Sequence, residues 1–198
     1  MKRNKLRLIS IISFFALSSA VNAQESLTAD DIVKSLKPKV RTRGISAPQL
    51  GAEDKQFIDK IKHSTRGITI EERDKLSDIV TSSGLPSIDL EVNFALDSAR
   101  LEPDAVATLE KLGNALKSKE LEGKTFLVAG YTDARGTSEH NQHLSEQRAA
   151  AVKAFLAGNY KLSQSDLVAV GYGQEKLKNT QNPLADENRR VKITNLTQ

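Results

Sequence analysis

The sequence predicts an α+β fold, in which helices pack on a mixed β-sheet and a partly helical extension precedes the sheet. Strand-like and helix-like patterns alternate after residue 86, in the order β-α-β-α-β, and a loop then leads to a last strand. A cluster of turn residues at 82–86 separates this regular part from a more polar first part. We therefore expect a domain at 84–198 and an N-terminal extension at 24–83.

Residues 1–23 have the pattern of a secretory signal peptide. Basic residues without any acidic one precede an apolar run at 8–21, which is shorter than the ~20 residues of a membrane-spanning helix. The small residues Val21 and Ala23 predict cleavage before Gln24. We expect export to the periplasm, where the chain is free or associated with the outer membrane. A retained segment would instead tether the chain to the inner membrane.

The composition excludes several classes of function. The chain has 29 basic and 25 acidic residues, and residues 1–23 hold four of the basic ones and none of the acidic ones. The remaining chain is neutral overall, so the basic excess of a nucleic-acid-binding domain is missing. The chain has no cysteine. We therefore expect neither a thiol-based enzyme nor a lipid anchor on cysteine.

The extension at 24–83 contains three short helical patterns. Thr28 and Thr69 each begin a capping box, and the stretch from Gln49 to Lys62 carries apolar residues on one face. The basic stretch Lys34 to Arg43 is typical of a solvated linker, although such a stretch also suits anionic lipid or wall polymer. We expect the extension to act as a spacer or to bind an envelope protein.

The elements of the domain follow from the spacing of apolar residues. Alternating apolar positions from Ile88 to Phe94 predict a strand, and Pro103 suits the first turn of a helix. A continuous apolar run predicts an inner strand that is covered on both faces. Right-handed crossovers place both helices on one face of the sheet. The remaining predicted elements are a strand at 126–129, a helix from 138 to about 157, a strand at 167–170, a polar loop at 174–189 and a last strand at 191–196.

One arginine in the second helix of the domain is anomalous. Arg148 shares an otherwise apolar stripe with Asn141 and Leu144, and burial of its charge requires an anion. Asp133, in the loop after the preceding strand, is the internal candidate, because loops at this end of a strand commonly bind ligands. Asp133 and Arg148 together suit a small zwitterion, with the aspartate on its ammonium and the arginine on its carboxylate. The alternative is an ion pair between them that fixes the loop and binds nothing.

Five sequence blocks in the domain follow the order of one family. They are NFALDSA at 93–99, GYTD at 130–133, NQHLSEQRA at 141–149, GYG at 171–173 and NRRV at 188–191. With these blocks, residues 84–198 resemble the OmpA/Pal/MotB C-terminal domain, an OmpA-like fold of β-α-β-α-β-β order. The order and spacing of five blocks are more specific than any single motif.

The resemblance implies a domain that binds peptidoglycan noncovalently through the diaminopimelate of its stem peptide, without catalysis. In such a domain, Asp133 and Arg148 would hold the amino and carboxylate ends of diaminopimelate. The same pocket would be lined by Asn141, Leu144 and the backbone around Phe94 and Ala95, and Thr132 would support it. Arg189 and Arg190 match the last block, and both ion pairing and ligand contact remain open for them. Tyr131 stands where the family usually has histidine.

Three alternatives compete with this interpretation. Glu139, His140 and His143 have the spacing of partial metal ligands, but no third ligand or supporting shell is evident, so we expect no metal and no cofactor. Asp133 and Glu139 resemble the acid and base of a wall hydrolase, but a neighbouring arginine would lower the pKa of the aspartate and favour binding. With residues 1–23 retained, the chain would be an inner-membrane-tethered, stator-like wall anchor.

Overall fold

The computed structural model describes residues 27–38, 50–64 and 67–197. The helices are α1 (Ala29–Leu36), α2 (Ala52–Lys62), α3 (Ile70–Ser82), α4 (Pro103–Leu116) and α5 (Ser138–Tyr160), and the strands are β1 (Ser87–Leu90), β2 (Phe126–Gly130), β3 (Leu167–Gly171) and β4 (Val191–Asn195). The predicted signal peptide at 1–23 and the second half of the basic stretch lie outside the described residues, so those expectations stay predictions.

The strands form one mixed sheet in the order β1-β4-β2-β3. Strand β4 runs antiparallel to both of its neighbours, and β2 runs parallel to β3. The predicted α+β architecture, a mixed sheet with helices packed on it, is confirmed. The parallel pair β2 and β3 is joined through α5, so the carboxyl end of β2 and the start of α5 lie at the same edge of the sheet.

Strand β2 explains why its sequence is a continuous apolar run. Phe126 and Val128 belong to one hydrophobic cluster, with α1, α4 and α5, whereas Leu127 and Ala129 belong to a second cluster, with α2 and α3. Successive side chains of a strand point to opposite faces, so both faces of β2 must be covered. The prediction of an inner strand is confirmed, and α4 and α5 share one face of the sheet as expected.

The described helices of the extension pack on the sheet, which the sequence analysis did not foresee. Ile32 of α1 and Leu76 of α3 are completely buried, one in each cluster. Both predicted capping boxes form, at Thr28 and at Thr69. The side-chain amide of Asn195 donates to the carbonyl oxygen of Leu36 at 3.0 Å, which ties α1 to the last strand. None of the helices within 27–38, 50–64 and 67–197 has the length and apolar character needed to cross a membrane.

The first strand of the domain is shorter than predicted. The strand ends at Leu90, and Phe94 makes only an isolated bridge with Leu101. The chain turns between these residues because Asp97 adopts a left-handed backbone conformation, with φ of 50°. The amide of Ala95 closes this turn by donating to the carbonyl oxygen of Arg100 at 2.9 Å. Residues 93–101 therefore form a folded loop, which we call the β1–α4 loop.

Candidate functional site

Two glycine-containing strand ends bring α5 directly onto the sheet. A β-carbon placed on Gly171 would lie 2.4 Å from the amide nitrogen of Glu146, and one on Gly130 would lie 2.4 Å from the carbonyl oxygen of Ser145. The buried hydroxyl of Ser145 also accepts a hydrogen bond from the amide of Gly173 at 2.8 Å. Only glycine permits these approaches, so the glycines of two sequence blocks position the helix that carries Arg148.

Asp133 is buried and held in place by arginine side chains and backbone. The residue is only 5% exposed to solvent. One carboxylate oxygen accepts from the amide of Arg135 at 3.0 Å, and the other lies 3.0 Å from Nη1 of Arg189. Nη1 of Arg135 lies 3.4 Å from the same oxygen as Arg189. These charge-assisted contacts stabilise a buried carboxylate that would otherwise be costly.

Arg189 bridges two carboxylates. Its Nη1 atom lies 2.6 Å from an oxygen of Asp186 as well as 3.0 Å from Asp133. The hydrogen bond to Asp186 is the main cause that raises the pKa of Arg189, and Asp133 adds to it against the opposing effect of burial. Of the two roles left open by the sequence, the structure therefore gives Arg189 an ion-pairing role within the protein.

Arg148 and Asp133, both among the described residues, form no ion pair with each other, which was the alternative left open by the sequence. The Nε atom of Arg148 donates to the carbonyl oxygen of Ser98 at 3.0 Å, and its guanidinium carbon lies 4.9 Å from the centre of the Phe94 ring. Its terminal nitrogens form no hydrogen bond with the described residues. Burial is the first cause that lowers the pKa of Arg148, and the nearby charge of Arg189 lowers it further, whereas Asp133 and Asp97 raise it. The cation is thus oriented and stacked, with open donors for an anion.

Asn141 positions the loops around the site. Its residue is 3% exposed, and its side-chain nitrogen donates to the carbonyl oxygens of Asp133 at 3.3 Å and Arg135 at 2.8 Å, and to Oε1 of Gln174 at 2.6 Å. Since an amide group has only two hydrogens, one of them is shared between acceptors. Asn141 thereby ties the start of α5 to the loops that follow β2 and β3.

The other predicted site residues lie on α5, on the loop that follows β2 and on the β1–α4 loop. Leu144 is buried one helical turn before Arg148, and Phe94 and Ala95 belong to the β1–α4 loop. The amide of Thr132 donates to the carbonyl oxygen of Gly173 at 2.9 Å, and its buried hydroxyl has no hydrogen-bond partner among the described residues.

The contacts that hold these segments together were not predicted from the sequence. The carbonyl oxygen of Ser98 accepts a hydrogen bond from Arg148, and the hydroxyl of Ser145 accepts one from the amide of Gly173. Oε1 of Gln174 accepts one from the side chain of Asn141. His140, considered above for metal binding, lies 2.6 Å from a carboxylate oxygen of Asp97. This contact links α5 to the β1–α4 loop. Within 27–38, 50–64 and 67–197, no group of three or more metal-ligating side chains comes together.

The sequence of the chain is similar to those of several known proteins. Residues 93–190 match the model of the OmpA family. The chain is 36% identical over 102 residues to the peptidoglycan-associated lipoprotein of Pseudomonas putida, covering 50% of this chain and 59% of that protein. It is 32% identical over 113 residues to outer membrane porin F of Pseudomonas aeruginosa, covering 54% of this chain and 30% of that protein.

A similar solved structure is the peptidoglycan-associated lipoprotein of Burkholderia pseudomallei. It is 30% identical, covers 54% of this chain and 88% of that chain, and has a TM-score of 0.44. This chain spans less than two thirds of the length of the two curated relatives.

Proposed function

Because this chain belongs to the OmpA family, whose model matches residues 93–190, we propose that the protein binds peptidoglycan noncovalently through the diaminopimelate of the stem peptide. The free end of diaminopimelate carries an ammonium and a carboxylate on one carbon. Its recognition therefore requires an anionic hydrogen-bond acceptor for the ammonium and a cationic donor for the carboxylate, close together. We further propose that the chain is an exported envelope protein of the periplasm, free or associated with the outer membrane. The names of two relatives, a peptidoglycan-associated lipoprotein and an outer membrane porin, support this location.

The geometry of Arg148 is the observation that carries the proposal. Its Nε atom donates to the carbonyl oxygen of Ser98, and its guanidinium lies over the Phe94 ring. These two contacts fix the orientation of the edge that carries the terminal nitrogens. Such an edge matches a carboxylate in bidentate fashion. An arginine with only a structural role would be expected to use its terminal nitrogens on the protein itself, as Arg190 does.

Asp133 retains capacity for the ammonium group. A carboxylate offers about four acceptor positions. The amide of Arg135 uses one position on one oxygen of Asp133, and the side chains of Arg189 and Arg135 approach the other oxygen. Both oxygens of Asp133 are held in contacts with Arg189 and Arg135, an arrangement that suits the binding of a cation. We therefore propose that the site binds the stem peptide without hydrolysing it.

The expected affinity for one stem peptide is modest. Two charge-assisted contacts contribute ~1.5–3 kcal/mol each, and the entropy of association offsets part of this gain. The dissociation constant for one stem peptide then lies at about 10⁻³ to 10⁻⁶ M. The cell wall presents many identical stem peptides, so rebinding lengthens the residence of the protein on the wall.

The test is cosedimentation of the protein with purified sacculi. Arg148→Ala and Asp133→Ala are each expected to weaken binding about tenfold or more, because each removes one charge-assisted contact. Arg100→Ala is the matched control, since Arg100 lies in the β1–α4 loop with a side chain that is 78% exposed. Soluble muropeptides should not appear during the incubation.

Two further measurements keep this test decisive. Thermal unfolding followed by circular dichroism establishes that each variant folds cooperatively. Titration of the wild-type protein with meso-diaminopimelic acid, followed by NMR, should shift the amide resonances of Ser98 and Asp133. Equal sedimentation of all four proteins, or an NMR titration without shifts at these residues, would refute the assignment of the site.

A further inference from the structure

A cavity lies on one face of the sheet, between α3 and the strands. Its volume is about 390 Å³, within the range of small-molecule sites. Helix α3 forms its roof with Ser77, Val80 and Thr81, and the sheet forms its floor. The roof belongs to the extension, outside the part of the chain that matches the OmpA family. The residues that line the cavity include none of the proposed peptidoglycan site, so the two are distinct.

One side of the cavity is aromatic and apolar. The rings of Tyr131 and Tyr172 stack with their centres 5.4 Å apart, and Leu127 and Val80 line the same space. Burial raises the pKa of Tyr131 to about 12, so its phenol remains neutral at physiological pH. Such a surface takes an aromatic ring or a branched aliphatic group.

The other side of the cavity carries positive charge and an unsatisfied hydroxyl. Lys192 and Thr194 point from β4 to this face, because they alternate with Val191 and Ile193 of the opposite core. The ammonium group of Lys192 forms no ion pair with a residue in the described ranges. Thr194 is completely buried, and its hydroxyl has no hydrogen-bond partner there.

Of the other charged groups that line the cavity, Arg190 and Glu175 are paired within the protein, and Lys176 is exposed to solvent. Arg190 lies 3.2 Å from a carboxylate oxygen of Asp89 and 4.0 Å from the centre of the Tyr131 ring, and Glu175 lies 3.1 Å from Arg73. Lys192 lies on the sheet beside the buried Thr194 and is therefore the cation that a ligand inside the cavity can pair with. A negative group on the ligand would pair with this ammonium.

We propose that this cavity binds a small amphipathic anion, with its aromatic or branched aliphatic body against Tyr131 and Tyr172 and its charged group on Lys192. The substitution of tyrosine for the usual histidine before Thr132 provides part of the aromatic wall. Helix α3 closes the cavity from above, so the site depends on the extension being folded on the sheet.

Fluorescence titration with two matched probes tests this proposal. Anilinonaphthalene sulfonate carries an aromatic body and one negative charge, whereas phenylnaphthylamine has a similar body without the charge. The wild-type protein is expected to bind the sulfonate at one site, with energy transfer from tyrosine, and to bind it about tenfold more tightly than the neutral probe. Two of the three tyrosines line the cavity, so the transfer reports on this location.

The variants separate the cavity from other surfaces. Lys192→Met should remove the preference for the sulfonate while leaving the neutral probe bound, and Ser77→Phe should weaken both probes by filling the space. Lys119→Met, on an exposed turn after α4, should change neither. Shifts of the Tyr131 and Thr194 amide resonances in the wild-type protein provide a test that needs no variant. Absent tyrosine transfer, or a charge preference that survives Lys192→Met, would overturn the proposal.

Discussion

Replacement of Gly171 by alanine tests whether the close approach of α5 to the strand ends controls both stability and wall binding. The added β-carbon would lie 2.4 Å from the amide nitrogen of Glu146 and 2.4 Å from the hydroxyl oxygen of Ser145. The first of these atoms is backbone, so the start of α5 or the end of β3 must move. Forcing an extra methyl group into such a packed contact typically costs ~1–3 kcal/mol.

The movement should also affect Arg148, because this residue lies on α5 half a turn beyond Glu146. Displacement of α5 would change the position of its guanidinium relative to Ser98 and Asp133. We therefore expect Gly171→Ala to lower the free energy of unfolding by ~1–3 kcal/mol and also to weaken cosedimentation with sacculi. Urea unfolding followed by circular dichroism measures the first quantity, and the sacculus assay measures the second.

Gly158→Ala is the matched control on the same helix. A β-carbon on Gly158 would meet nothing within 4 Å. Alanine is favoured over glycine inside helices by up to ~1 kcal/mol, so this variant should be more stable than the wild type and bind sacculi equally well. Unfolding of Gly171→Ala at the wild-type urea concentration would refute the close packing of α5 on the strand ends.

Three further predictions concern the site and its surroundings. Asn141→Ala should lower the free energy of unfolding by about 1–3 kcal/mol, because it leaves the buried carbonyl group of Asp133 without its side-chain donor. Urea unfolding checks this value, and wild-type stability would contradict the role of Asn141. The stabilising effect of the neutral Tyr131 phenol, whose pKa is raised to about 12, is complete below pH ~10. This effect should be lost as the pH rises from there towards 12. Tyr131→Phe should therefore show a smaller alkaline loss of stability than the wild type, and identical losses would refute the stated cause. Amidation of the free carboxylate of diaminopimelate should weaken binding about tenfold or more, since it removes the partner of Arg148. Calorimetric titration with free and amidated stem peptides measures this difference, and equal affinities would argue against Arg148 as the carboxylate contact.

The sequence predicted those parts of the structure that depend on local periodicity. The capping boxes at Thr28 and Thr69, the continuous apolar strand at 126–129 and the position of Pro103 at a helix start all follow from patterns of a few residues. The strand predicted to reach Phe94 ends at Leu90, because Leu90 pairs with Val191, the first residue of β4, and the chain folds back later at Asp97. Alternating apolar residues fill buried positions in a folded loop as well as in a strand, so alternation alone does not distinguish them.

The parts that were not predicted depend on pairing between distant segments. Leu76 and Ile79 identify an apolar stripe on α3, but nothing in that stripe specifies the second face of the sheet as its partner. Arg189 and Arg190 look equivalent in the sequence, yet one contacts Asp133 and the other Asp89. Consecutive residues of extended backbone point to opposite sides, so their roles diverge at the start of β4.

Asp133 and Arg148 do not pair with each other, and this separation supports the proposal of a ligand site between them. Each group has its own anchor, since Arg189 and Arg135 hold the aspartate while Ser98 and Phe94 hold the arginine. Burial lowers the pKa of Arg148, and the nearby charge of Arg189 lowers it further because the two cations repel each other. With Asp133 already compensated by Arg189, Arg148 remains a half-buried cation whose charge has no ion-pair partner in the described chain. A ligand carboxylate would neutralise that charge, so recognition should depend more on the carboxylate than on the ammonium of diaminopimelate.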